Sequence, residues 1–230
     1  MKARQRVVPL IVVALSIGSG CATGATLGVR YPEQDAHASV LASVPPRRVT
    51  VVPVVDQRAD ITRVGSWPKD AGAIVTNEPV VDIVRAALVT ELTANGHAIV
   101  FEAPDVVIAT TVEAFWLETV RSYPGWQYLG RVVILVRVTD GRSGSLLLNR
   151  RFIGIKRAQA DAASKGVSRD VLDDALARVV HDLATDPEML VVFREAGSNL
   201  GRCTEPSFFG RTVSVRAMQC SGLNRQARSP

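Results

Sequence analysis

The sequence predicts an α+β fold, an antiparallel meander sheet with two amphipathic helices packed on one face. Three observations carry this reading. Leu129 to Thr139 alternate with period two: Val132, Ile134, Val136 and Val138 form one face, and Leu129, Arg131, Val133, Leu135 and Arg137 the other. Strand-like runs flank that segment, Asp105 to Val120 before it and Leu146 to Ile155 after it, with turn signals at Pro124-Gly125 and at Asp140 to Gly144. Two further segments carry apolar residues at helical spacing and supply the cover that a wholly apolar sheet face requires.

Taken in order, residues 1–20 read as an export segment to be set aside before any fold argument. Lys2, Arg4 and Arg6 form a positive start, Val7 to Ile17 an apolar stretch, and Gly18-Ser19-Gly20 a small-residue end before Cys21. As a helix the apolar stretch would span about 16 Å, short of the roughly 30 Å hydrocarbon core of a bilayer. The arrangement resembles the bacterial lipobox, in which the cysteine sulfur takes a diacylglycerol and becomes the new N-terminus. Gly18 departs from the usual Leu three residues before it. The alternative is an ordinary secretory signal with Cys21 incidental. Processing also changes the charge argument. The chain carries 27 basic and 22 acidic residues, and removing Lys2, Arg4 and Arg6 leaves 24 against 22. A basic whole-chain balance therefore does not indicate a nucleic-acid partner.

Residues 21–47 read as a lipidated N-terminus and flexible tether, mixing Ala, Thr, Gly, Ser and Pro, which would hold the domain roughly 30 Å from its anchor. Around Leu27 to Arg30 it could still pair with the domain. Residues 48–193 read as the folded domain. Val49 to Val55 make a β-branched strand interrupted by Pro53, which cannot donate to a ladder. An irregular segment runs from there to Thr76. The first helix takes Asn77 as N-cap, Pro79 in its first turn and Asn95-Gly96 as its stop, with Val81, Val84, Leu88 and Leu92 on one stripe. A short strand from His97 to Phe101 leads to the three long strands. The second helix starts at Ser168 and ends near Ala184 before Asp186-Pro187, and Met189 to Phe193 can continue as helix. Residues 194–230 form a tail holding Cys203 and Cys220, which in an oxidising compartment read as a disulfide closing a small hairpin; two free thiols are the alternative.

No catalytic machinery is evident. The sequence has no Walker motif, no His-Glu-x-x-His and no Gly-x-Ser-x-Gly, and His37, His97 and His181 stand apart from any ligand set, so neither metal nor cofactor is expected. Asp173-Asp174 read as a solvated helix face, since helical neighbours point about 100 degrees apart. Two surfaces are candidates for a partner. Arg121, Tyr123, Trp126 and Tyr128 surround the first hairpin turn in a chain only 5% aromatic, and such residues dominate binding hot spots; alternatively they fold back over the sheet edge. The mixed sheet face, with Glu113, Arg131, Arg137 and one of Arg150-Arg151, could receive an anionic glycan or an acidic protein surface, or be merely solvated.

The order and spacing of several segments resemble the YajG-type lipoprotein family of Gram-negative bacteria. They are Asp56-Gln57-Arg58, the Leu88 to Gly96 stretch Leu-Val-Thr-Glu-Leu-Thr-Ala-Asn-Gly, the Asp105-led strand, the Asp140-Gly141 turn, and Ala163-Ser164-Lys165 through Asp170 to Asp186. The likeness covers about residues 48–193 and the lipobox; the aromatic hairpin and the tail depart from it. It implies location and fold more than mechanism, the family's activity being unassigned. The expectation is a non-enzymatic, lipid-anchored envelope protein binding another envelope component. The alternative is an accessory lipoprotein of an ABC lipid-transport system. Ala22 stands where inner-membrane retention in many Gram-negative bacteria uses Asp, so the expected site is the outer membrane, facing the periplasm.

Overall fold

The computed structural model describes residues 24–31, 40–67 and 72–196. In chain order they form β1 (Ala25–Leu27), a 3-10 turn (Val40–Ser43), β2 (Arg48–Val51), β3 (Val55–Asp56), β4 (Gly65–Ser66), β5 (Ala73–Thr76), α1 (Val80–Ala94), β6 (Ala98–Ile99), β7 (Val106–Arg121), β8 (Trp126–Asp140), β9 (Leu146–Ala160), α2 (Lys165–Ala184) and α3 (Pro187–Glu195). The α+β class holds.

The meander is real but does not make the sheet antiparallel throughout. β7 pairs antiparallel with β8, and β8 with β9, yet β2, β3 and β4 all run parallel to β7 along its other side. The sheet is therefore mixed. The reason lies in the order of elements: α1 intervenes between the first strands and β7, and a strand returning after a helical crossover lies parallel to the one it left. Pro53 splits the first strand as its missing donor requires. β2 ends at Val51 and pairing resumes at Val55, with Val52 N–H donating to the Ile108 carbonyl between them.

Alternation decides what each long strand buries. In β8 the inward set is Tyr128, Gly130, Val132, Ile134, Val136, Val138 and Asp140. In β7 the phase changes once: Val106, Ile108 and Val112 point inward, then Phe115 and Leu117, because Glu113 is an extra residue bulged between the pairs Val112–Ile134 and Ala114–Val133. Both hairpin strands are longer than their apolar runs suggest. Trp126 to Tyr128 belong to β8 and Lys156 to Ala160 to β9.

Helices α1 and α2 bury Val84, Leu88 and Leu92, and Val171, Leu172, Leu176 and Val179, in one core with the inward sheet residues. Each large side chain removed from water in this way contributes roughly 1.5–3 kcal/mol. Close approach of α2 to the sheet depends on Gly130 and Gly154. A Cβ on Gly130 would lie 2.7 Å from the Val171 carbonyl oxygen, and one on Gly154 would overlap the Ala175 carbonyl.

Several boundaries differ from expectation. The stretch 21–47 is not a free tether over its described residues: Ala25 to Leu27 pair with Ile74 to Thr76, and Ala25, Leu27, Val29, Leu41 and Val44 are buried. The irregular segment through Thr76 contains β4 and β5. Asn77 does not cap α1, because its N–H donates to the Leu27 carbonyl at 3.0 Å and extends the strand pairing; Pro79 takes the flanking position. Helix α2 begins earlier than Ser168, with Ser164 Oγ accepting from Val167 N–H as its cap. Met189 to Phe193 lie in a separate helix, since Asp186 accepts from the Glu188 and Met189 N–H groups and starts α3 with Pro187 in its first turn.

Candidate functional site

The meander's second face is where the fold leaves chemistry unused. Registered rows cross it: Glu118–Leu129–Arg157, Trp116–Arg131–Ile155, Ala114–Val133–Ile153 and Thr111–Leu135–Arg151. Val133 is buried among its neighbours, whereas Ile153 and Ile155 are 45% and 47% exposed. The face thus has an apolar floor flanked by guanidinium groups. Arg151 makes a bidentate contact with Glu113, its Nε donating at 2.6 Å and its second terminal nitrogen at 2.9 Å. Those hydrogen bonds hold the Glu113 carboxyl below its ordinary value. The bulge that re-aims Glu113 is what brings it to this pair. Arg131, Arg137 and Arg157 have no ion pair among the described residues. Toward the first hairpin the face dips into a concavity of about 640 Å³ bounded by Glu118, Val120, Gln127, Leu129, Arg157 and Gln159.

Of the neighbouring pair Arg150-Arg151, it is Arg151 that reaches this face. Arg150 points to the other side, paired with Asp186 at 3.0 Å and Glu188 at 3.1 Å. Arg157, Ile153 and Ile155 escaped the sequence reading of the face; the signal was present, since period two continues through 151, 153, 155 and 157 beyond the apolar run.

The four hairpin residues do not converge on one surface. Tyr128 is 1% exposed and its phenolic oxygen accepts from Ser164 N–H at 2.8 Å, tying β8 to the start of α2. Trp126 is half-buried and meets Trp67 edge-on with ring centroids 6.1 Å apart. Only Arg121 and Tyr123 stand free, Tyr123 being 101% exposed beside the cis peptide to Pro124. The cluster is split, its inner half belonging to the core. Cys21, Cys203 and Cys220 lie outside the described residues.

Asp173 is not part of a solvated face. The backbone N–H of Arg30 donates to it at 3.0 Å, so the N-terminal segment covers it, and burial pushes its carboxyl up to about 6. His97 is likewise enclosed, with its ring 4.7 Å from that of Phe193; burial, then the nearby Arg47 charge, lowers its value. Arg47 donates to the Phe193 and Arg194 carbonyls, both at 2.7 Å, and fixes the end of α3. Among the described residues no group of three His, Cys, Asp or Glu side chains could hold a metal ion, and no helix is long and apolar enough to cross a membrane.

No protein-family model and no curated protein sequence matches the chain. Solved structures do. Protein XCC0632 from Xanthomonas campestris, of family DUF330, is 12% identical with a TM-score of 0.52, over 76% of this chain and 99% of that one. The likeness establishes the fold. A putative lipoprotein from Caulobacter crescentus is 13% identical with a TM-score of 0.38, over 70% of this chain and 96% of that one. A minor lipoprotein from Acinetobacter baumannii is 14% identical with a TM-score of 0.34, over 68% and 94% respectively.

Proposed function

We propose that the chain is a lipid-anchored envelope lipoprotein of the YajG-like type, acylated on Cys21, that binds another envelope component rather than transforming a substrate. The observation that carries the binding role is the open face of the meander, where Arg131 and Arg157, without an ion pair among the described residues, share registered rows with Ile155 and Leu129 and flank Val133 and Ile153. A solvated sheet face has no need of exposed isoleucines between arginines. Arginine forks with an apolar floor suit an anionic glycan or the acidic, partly apolar surface of a protein. The anchor reading rests on the positive start, the short apolar stretch and the small residues before Cys21. Ala22 after that cysteine favours the outer membrane, facing the periplasm.

Recovery of partners from detergent-solubilised envelopes, with the parent chain and with Arg131→Glu/Arg157→Glu, tests the binding role. The expected result is a defined partner captured by the parent and lost with the double variant, both proteins melting alike. Equal capture by both would remove the face from the account. A transport permease as chief partner would make the chain an accessory subunit of an ABC lipid-transport system. Turnover of peptidoglycan or lipid by the purified chain would overturn the non-enzymatic reading.

A further inference from the structure

We propose that the tip of the β7–β8 hairpin, Arg121 to Trp126, rests in the headgroup region of the same membrane that holds the Cys21 anchor, so that the domain touches its bilayer at two points. The proposal builds on the acylation of Cys21 and adds where the domain sits.

Strand β1 begins at Ala25, four residues after Cys21. Its register carries across the sheet: Ala25 lies opposite Ile74, Ala73 opposite Ser66, and Ser66 opposite Glu118. Gly24, packed against the Ala73 carbonyl, therefore shares a row with Glu118. β1 is parallel to β5, β5 antiparallel to β4, and β4 parallel to β7. Traced backwards, β1 thus points in the direction in which β7 enters its hairpin. Three strand spacings, about 14 Å, separate the two laterally.

Lengths then decide the matter. The three residues from Gly24 back to Cys21 reach at most about 11 Å. From the same row β7 runs three more residues to Arg121, about 10 Å at strand rise, and the turn beyond Arg121 projects further. The anchor cannot hold the bilayer beyond the hairpin's reach, and any contraction of the linking residues brings it closer.

The tip has the chemistry of that environment. Tyr123 is wholly exposed and buries nothing in the fold, Val120 is exposed, and Trp126 stands half-buried behind them on Trp67. Arg121 is exposed, and Lys165, at the start of α2, is exposed at the same end through the Tyr128–Ser164 hydrogen bond. Tyr and Trp place an apolar ring and a polar edge at the lipid–water boundary, and Arg and Lys meet the phosphates there. Asp161 is the acidic residue bordering the turn.

The test uses the full acylated chain carrying Cys203→Ser, Cys220→Ser and Tyr123→Cys, labelled with an environment-sensitive fluorophore. It is reconstituted into phosphatidylethanolamine–phosphatidylglycerol vesicles containing a nitroxide-headgroup lipid. The control label is Arg142→Cys, in the β8–β9 turn at the other end of the meander. Quenching at position 123 is expected to exceed that at position 142 several-fold. Equal quenching, with mass spectrometry showing the acyl chains on Cys21, overturns the placement and leaves the anchor standing. A chain found without acyl chains overturns the anchor and the placement with it.

Discussion

Two charged side chains show how single residues are held. Arg58 is 6% exposed in its side chain and makes fork contacts to Asp56, at 2.8 Å through its terminal nitrogen, while donating to the Arg63 and Ile61 carbonyls. Burial pushes the Asp56 carboxyl up, but Arg58's hydrogen bonds outweigh that and hold it below its ordinary value. Arg58→Ala should therefore cost about 2–3 kcal/mol in urea unfolding, by orphaning both the loop carbonyls and the carboxylate. Arg58→Lys keeps the charge without the fork and should recover less than half of that loss. Asp173 works in the opposite sense. Its carboxyl rises from 3.8 unfolded to about 6 in the fold, so the folded chain holds the proton more tightly. The penalty is complete above about pH 6 and fades as pH falls toward the unfolded value. Asp173→Asn keeps an oxygen for the Arg30 N–H and removes the titration. It should raise stability by on the order of 1 kcal/mol near pH 7.5, after allowance for partial exposure, and match the parent near pH 4. A gain of the same size at both pH values would contradict this explanation.

Among the elements, α2 is seated where two side chains are missing, at Gly130 and Gly154. Gly154→Ala must push the Ala175 carbonyl away and should cost about 2–4 kcal/mol. Gly144→Ala, at φ +69° in the β8–β9 turn with open space around it, should cost about 1 kcal/mol from backbone strain alone. Thermal melts of the two variants compare crowding with strain, and equal losses would remove the close-approach argument. The elements also mark what was legible in the sequence. The inward face of β8 was readable because burial selects one side of a period-two run, and Gly130, standing in an inward slot of that run, was a readable sign of close approach; the face of β7 was not, because the bulge at Glu113 changes its phase. The full length of β9 was not, because Lys156 to Ala160 pair in the ladder while contributing little apolar signal. Strands β1, β4 and β5 have two to four residues each, too few to display a period. The parallel pairs were implicit in strand–helix–strand order. The burial of Asp173 could not be read locally, since the group that covers it lies 143 residues away. At the candidate site, the arginines of β8 were legible, but the separation of Tyr128 from Tyr123 was not, because it depends on where the turn starts.

Over the described residues the sheet is mixed, with one face committed to helices and the other left open by them, and β1 starts within a few residues of the proposed anchor. On β9 the exposed Arg157, without an ion pair among the described residues, opposes edge-to-edge pairing of two copies. For Cys203 and Cys220 the expectation remains a bridge, contributing on the order of 3 kcal/mol to the loop it closes. A thiol titration of the unreduced, denatured mature chain should find neither cysteine reactive, and two reactive thiols would reject the bridge. Cys21 carries both the anchor and the placement of the domain at its membrane. Metabolic labelling with a clickable fatty acid in a Gram-negative host, parent beside Cys21→Ala, tests it directly. The parent should carry the label, and the variant should carry none, remaining a precursor or a soluble species. Label on the variant at the parent's level, or no label on the parent, would contradict the account.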